Sequence, residues 1–210
     1  MSNKINWDIM IGDEIRDIGK LNLPDPDTLE YYRHINDRVI YWNTDVDECL
    51  IDYSLKIMDW NREDKTIPVA DRKIIKVYVN SDGGDLESVM NFINVMQLSK
   101  TPVHTIAMAK VYSAGGLMLM AGSKRFIFQD TQFLLHDGST GAFGNTGKVM
   151  DNLEFTKKIE EKTKAFVLKN TKIDSKSYDK NYRRDWWMFS DDMIKYGIAD
   201  VIITDLDEIL

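Results

Sequence analysis

Acyl transfer to water needs a nucleophile, a base within hydrogen-bond reach, a group that orients the base, and amide donors for the oxyanion. In parallel α/β folds such groups gather where strands end and helices begin. Ser113 stands near such a point. The apolar run Thr105-Ile106-Ala107-Met108 precedes it, and Gly115-Gly116 follow. Small residues after a serine let a helix start tightly beneath it, with its first N–H groups facing outward. A serine at a helix start is more often a plain N-cap, so spacing alone does not make it a nucleophile.

His136 ends the apolar run Phe133-Leu134-Leu135 and opens a glycine-rich stretch. The chain has three histidines, and the other two are less well placed. His34 precedes the region of alternating strands and helices, and His104 sits beside Pro102 at a strand start. Asp185 lies between Arg184 and Trp186-Trp187. A carboxylate among bulky aromatics needs a partner, either an imidazole N–H or the neighbouring arginines. Asp137 is a rival orienter, but successive side chains on an extended strand point to opposite faces, which ranks Asp185 first. Asn80-Ser81-Asp82-Gly83-Gly84 also ends a strand and opens a helix. Adjacent glycines permit a positive φ and a close backbone approach, which suits amides that face a carbonyl oxygen. The plainer alternative is a tight turn that needs glycine only for its geometry.

These groups require a scaffold, and the hydropathy pattern supplies one. Val39 to Trp42 reads as a short strand. Thr44-Asp45-Val46-Asp47 resembles a capping box, with Val46, Leu50, Tyr53 and Ile57 following at helical spacing. Strands are expected at 74–79 and 103–108, each followed by a helix, the second at 113–121. This order predicts a largely parallel sheet with crossover helices. Short strands follow at 125–128 and 133–135, then a glycine-rich loop at 138–147. A long helix over about 148–169 carries Val149, Leu153, Phe155, Ile159, Phe166 and Val167 in one broad arc. A short helix at 190–196, stopped by Gly197, and a strand at 201–203 close the chain. Residues 1–35 read as an arm or peripheral helix, with 23–27 as an extended or turn element. Residues 36–210 form the expected main domain.

Composition narrows the field. The 210 residues suffice for one well-buried domain. A net charge of −7 argues against a broad nucleic-acid footprint. The lone cysteine, Cys49, rules out an internal disulfide framework and a CxxC metal site. No signal-peptide layout and no membrane-length apolar run is present. The expectation is a cytoplasmic protein that needs neither metal nor organic cofactor. The chain also lacks a GxxxxGK[ST] loop, which assigns any ATP use to a partner.

Taken together, these segments resemble the ClpP-like proteolytic subunits of the ATP-dependent Clp proteases. The likeness runs in one order over roughly residues 31 to 203. Val77 to Gly84 is similar to the family's strand and glycine loop. Thr105 to Met108 with Ser113 to Gly116 is similar to its nucleophile segment. Arg125 to His136 resembles its histidine segment. Arg184-Asp185 and Tyr196-Gly197-Ile198-Ala199-Asp200 resemble its aspartate segment and closing helix. The resemblance implies a ClpP/crotonase-like α/β fold with a protruding handle over about 138–170. It implies a catalytic triad of Ser113, His136 and Asp185. It implies oxyanion donors at the amides of Gly84 and Ala114, and substrate-binding backbone at Gly83 and Phe143. It also implies polypeptide substrates, stacked heptameric rings and an ATP-driven AAA+ unfoldase as partner. Three departures stand out. Asp82 replaces a proline, Tyr112 stands where small residues are usual, and Asp137-Gly138 replaces Gln-Pro after the histidine. Alternatives within reach of the same fold are a catalytically inactive ring subunit, a capsid-maturation peptidase, and a crotonase-like enzyme acting on acyl-CoA.

Overall fold

A computed structural model of the chain describes residues 25–210. The helix α1, Pro26–Asn36, and the body from Asp37 onward form separate units, each treated by itself. Pro26 takes the first helical position of α1. Asp25 caps the helix by accepting from the Thr28 amide at 2.9 Å. The expected turn at 25–27 is therefore a helix start, because a proline at this position loses no intrahelical hydrogen bond. Leu23 and Pro24 lie outside the described residues.

The body is built on a seven-stranded sheet. In chain order its elements begin with β1 (Val39–Trp42), α2 (Leu50–Glu63), β2 (Ile75–Ser81), α3 (Leu86–Leu98), β3 (Val103–Tyr112) and α4 (Ala114–Met120). They continue with β4 (Lys124–Ile127), β5 (Gln132–Leu135), α5 (Thr146–Asn170), α6 (Ser175–Asn181), β6 (Trp186–Met188), α7 (Ser190–Lys195) and β7 (Val201–Ile202). The strand order is β1-β2-β3-β4-β7, all parallel, with β5 parallel to β3 and β6 antiparallel to β5. The expected α/β class with a largely parallel sheet is what the structure has. Ile75, Val77 and Val79 of β2, which share one face of the sheet, are fully buried, as β-branched residues under covering helices should be.

Three local expectations are corrected. Thr44 does not cap a helix. Val46 instead pairs in parallel with Gly84, and α2 begins only at Leu50. The second correction concerns β3, which runs four residues past Met108 to Tyr112. Its first half pairs with β2 and β4, and its last three residues pair with β5. A strand that gains a second partner stays extended, and here it delivers Ser113. Third, β6 was not foreseen at all. Along α5, only Thr163, Phe166 and Val167 are buried, all in the C-terminal third. Met150, Leu153 and Phe155 face solvent, so the expected apolar arc is covered at one end only.

Helix α4 is buried along its whole length. A Cβ on Gly116 would sit 2.6 Å from Phe133 Cε2, so only glycine lets α4 lie this close to β5. Two charge pairs tie the periphery down. Arg125 grips Asp200 with two N–H groups, at 2.6 and 2.9 Å, and donates to the carbonyls of Asn170 and Gly197. It thereby joins β4 to the ends of α5 and α7. Arg38 grips Asp64 in the same forked way, at 2.6 and 2.8 Å, and Thr101 donates to the same carboxylate. Asp64 is almost fully buried.

The Arg38 hydrogen bonds hold the Asp64 carboxyl below its ordinary value of 3.8. A carboxyl whose pKa falls on folding contributes stability above its unfolded value, and loses it as pH drops through the folded one. Asp64→Ala leaves Arg38 with only Glu63 at 3.5 Å and the Lys73 carbonyl at 3.2 Å and takes the acceptor from Thr101, and should cost about 3 kcal/mol at neutral pH, a fall in Tm of about 10 °C. Scanning calorimetry from about pH 6 to pH 3 should also find a shallower acid decline in the variant than in the parent chain.

Candidate active site

Ser113 has φ 52° and ψ −120°, which is not a helical N-cap conformation, and its side chain caps no amide of α4. The plain N-cap alternative is thereby removed. Its own amide donates to Leu134 O at 2.9 Å, which extends the β3–β5 ladder by one step. A positive φ on a residue with a Cβ stores about 1–3 kcal/mol and persists only where the surroundings enforce it. Gly83 enforces it from the other side. A Cβ there would lie 2.7 Å from Ser113 Cβ and 2.9 Å from Tyr112 O. The strand end, the serine and the glycine turn are thus packed as one unit, with Ser113 half-buried at its surface.

The second glycine has a different task. Gly83 O accepts from Val46 N at 2.6 Å, and Asp85 N donates to Val46 O at 2.8 Å. In a parallel ladder the intervening residue directs its own N–H the other way, so the Gly84 amide is turned from Val46. Gly84 has φ 139°, and a Cβ would strike Val46 O at 2.3 Å. Asp85 caps α3 by accepting from Ser88 N at 2.7 Å. The Ser88 hydrogen bonds hold its carboxyl below the ordinary range.

His136 and Asp185 meet through the unforeseen strand. The antiparallel register pairs Phe133 with Met188, Leu134 with Trp187 and Leu135 with Trp186. One further step sets His136 opposite Asp185, and directly opposed side chains share a face. His136 Nδ1 lies 3.8 Å from Asp185 Oδ1. This is ion-pair distance, longer than a hydrogen bond, and catalytic contacts of this kind commonly tighten when substrate binds. The Asp185 side chain is 62% exposed and that of His136 28% exposed. Among the described residues His136 is the ion-pair partner of Asp185, so the flanking arginines do not take that place.

Ser113 and His136 line one cavity of about 560 Å³, together with Gly84, Ala114, Glu160 and Tyr182. Asp185 is not in its wall and approaches His136 from β6. A larger apolar cavity of about 840 Å³ lies over Tyr41, Tyr78, Met108 and Phe128 and contains none of these groups. Phe143 is 95% exposed, in the segment between β5 and α5, and lines neither cavity. Asp137 lies in the wall beside His136, exposed. His104 is set aside by its surroundings. Its ring packs on Phe126 at 5.6 Å, and burial, then Lys124 and Lys76, hold its pKa down.

The departures noted in the sequence have local explanations. Tyr112 turns from the cavity, edge-on to Trp187 at 5.1 Å, and its hydroxyl donates to Gln132 at 2.7 Å. Asp82 pairs with Lys110 across the sheet end at 2.5 Å. Sequence reasoning missed Glu160 and Tyr182. The first hides in a highly charged helix, and Tyr182 lies in a segment with no period. The only signal was Thr156, Ile159 and Thr163, which share a helical face with Glu160 at its edge.

Comparison with known proteins bears on the whole body. The sequence profile described as Clp protease matches residues 31–205. An ATP-dependent Clp protease proteolytic subunit of Deinococcus radiodurans is 26% identical over 178 residues, 82% of this chain and 83% of its own. A proteolytic subunit 2 of Treponema pallidum is 30% identical over 62% of this chain and 67% of its own. A proteolytic subunit 1 of Streptomyces avermitilis is 30% identical over 66% of this chain and 64% of its own. With a matching profile across most of its length and a parallel sheet that presents a strained serine beside a glycine turn, this chain belongs to the Clp protease family and is a protease.

Proposed function

We propose that the chain is a serine endopeptidase subunit in which Ser113 attacks the peptide carbonyl, His136 is the base and Asp185 orients it. The observation that carries this reading is the backbone of Ser113. A strained, positive-φ serine with no capping role opens onto the same cavity as His136. His136 takes the hydroxyl proton as the Ser113 Oγ–carbon bond forms, and gives it to the departing amine. Water repeats the attack, with its proton passing through His136, and releases the acid. Asp185 holds the imidazole tautomer and stabilises the imidazolium. The amides of Gly84 and Ala114 receive the oxyanion, each such donor being worth about 3 kcal/mol in the transition state. Gly83 holds the turn, and Phe143 with its glycine neighbours forms a strand beside the substrate in this reading, when polypeptide lies along the segment 138–147.

The peptidase domain in this reading spans residues 36–210, with 138–170 as the handle. The subunits assemble into stacked heptameric rings fed by an ATP-driven unfoldase. An apolar face on α2 and exposed apolar side chains on α5 support assembly. Ile51, Leu55 and Met58 recur at helical spacing on the outer side of α2, and Met150, Leu153 and Phe155 lie on α5. All six are more than 40% exposed. Contiguous exposed apolar residues of this kind mark contact surfaces.

A fluorophosphonate probe should label Ser113, located by peptide mapping. Ser113→Ala should abolish labelling, and His136→Ala should slow it at least a thousandfold. Asp185→Asn should slow it less, about ten- to a hundredfold, because its carboxylate is largely hydrated. No labelling of Ser113 under conditions where a control peptidase reacts would overturn the triad. Native mass spectrometry should find two stacked seven-membered rings, and a monomer at micromolar concentration would contradict the assembly.

A further inference from the structure

The charge in the wall of the candidate active site has one sign. Its charged groups, apart from His136, are Asp85, Glu87, Asp137 and Glu160, and no lysine or arginine lines it among the described residues. Three of these carboxylates sit at the exposed mouth. Asp85 is also engaged as the cap of α3. Glu160 differs. It is half-buried on the face of α5 that carries Thr156 and Thr163 into the cavity.

The helix offers Glu160 a natural cation one turn on, but that cation is diverted. Lys164 Nζ lies 2.5 Å from Asp179 and over the ring of Tyr178. Among the described residues no lysine or arginine pairs with Glu160. Beside it stands Tyr182, stacked on Tyr178 at 4.5 Å, whose ring joins the same wall. The negative charge of Glu160 is felt at both tyrosines, whose hydroxyls burial pushes up. The remaining wall is mixed, with aliphatic Leu117, Leu135 and Ile159 set among the hydroxyls of Thr140, Thr156 and Thr163. Aliphatic side chains beside a carboxylate without a cation partner and an aromatic face suit one kind of peptide side chain. A lysine or arginine lays its methylene stem on apolar surface and keeps its charged head at a carboxylate or over a ring.

We propose that the cavity beside Ser113 selects a lysine or arginine side chain of the polypeptide substrate, with Glu160 as the specificity-determining residue that receives its charge. The inference rests on the serine-peptidase reading and names the substrate class of that site. Unlike the oxyanion donors, Glu160 acts on recognition and not on bond making, so its loss should alter discrimination and leave the chemistry intact.

The test uses two peptidyl diphenyl phosphonates identical except for the side chain next to the phosphorus, lysine in one and norleucine in the other. They differ only in the terminal ammonium. Covalent modification of Ser113 is followed by intact mass on the full chain. The lysine probe should react about fivefold faster, the upper range of a partly hydrated ion pair. Glu160→Gln should bring the ratio near one by slowing the lysine probe, with the norleucine rate within about twofold of the parent. That unchanged norleucine rate also reports that the variant is folded. Equal or faster reaction of norleucine with the parent chain, or an undiminished lysine preference in Glu160→Gln, overturns the inference. If Ser113 reacts with a fluorophosphonate but shows no lysine preference, only the specificity assignment falls. If Ser113 reacts with neither class of probe, the peptidase reading fails and this inference fails with it.

Discussion

Contact between Gly83 and the backbone of Ser113 is the constraint on which the rest of the site depends. There is no room for a methyl group at residue 83, since a Cβ would lie 2.7 Å from Ser113 Cβ. The serine in turn holds a positive φ that a residue with a side chain avoids. Neither feature is stable alone. The strain is held because β3 continues to Tyr112, pairs there with β5, and passes its next amide to Leu134. Val46 closes the arrangement from behind by bonding on both sides of Gly84. The turn is therefore fixed by three strands at once, and its outer surface is free to meet a substrate.

The same sheet places the base. A parallel strand alone would leave the imidazole after β5 without a fixed neighbour. β6 returns antiparallel, and its register sets Asp185 across from His136. Trp187 supports this ribbon from the far side, edge-on to Tyr112. The bulky residues around the candidate triad thus hold the strands together and leave the cavity open. What closes the cavity is α5, which adds Glu160 and the threonines on either side of it.

Strands with an unbroken apolar run were legible, because a run of β-branched residues between turn signals has few other readings. β2 and the start of β3 are of this kind. The end of β3 was not. Ala109 and Lys110 interrupt the apolar run, and it is the partner strand β5 that keeps Lys110 to Tyr112 extended. The apparent capping box at Thr44 failed for a similar reason. Local propensity for a helix start yielded to a tertiary pairing of Val46 with Gly84. Trp186 to Met188 is too short to show a period, so β6 was invisible, although it explains why Asp185 outranks Asp137. Ser113, His136 and the paired glycines were picked out as candidates by their position at strand ends, and Ser113, His136 and Gly84 line one cavity. Glu160 was not, because a carboxylate on a highly charged helix looks like any solvated one until the cavity beside it is seen.

The central claim is that an imidazole and two amides converge on one strained hydroxyl. A crystal structure of the chain after reaction with a peptide boronate tests it most directly. The account predicts a tetrahedral boron on Ser113 Oγ, with one boronate oxygen about 3 Å from the amides of both Gly84 and Ala114 and His136 within hydrogen-bond reach of the adduct. Boron bound elsewhere, or an adduct on Ser113 with His136 still remote and the two amides unused, would contradict it.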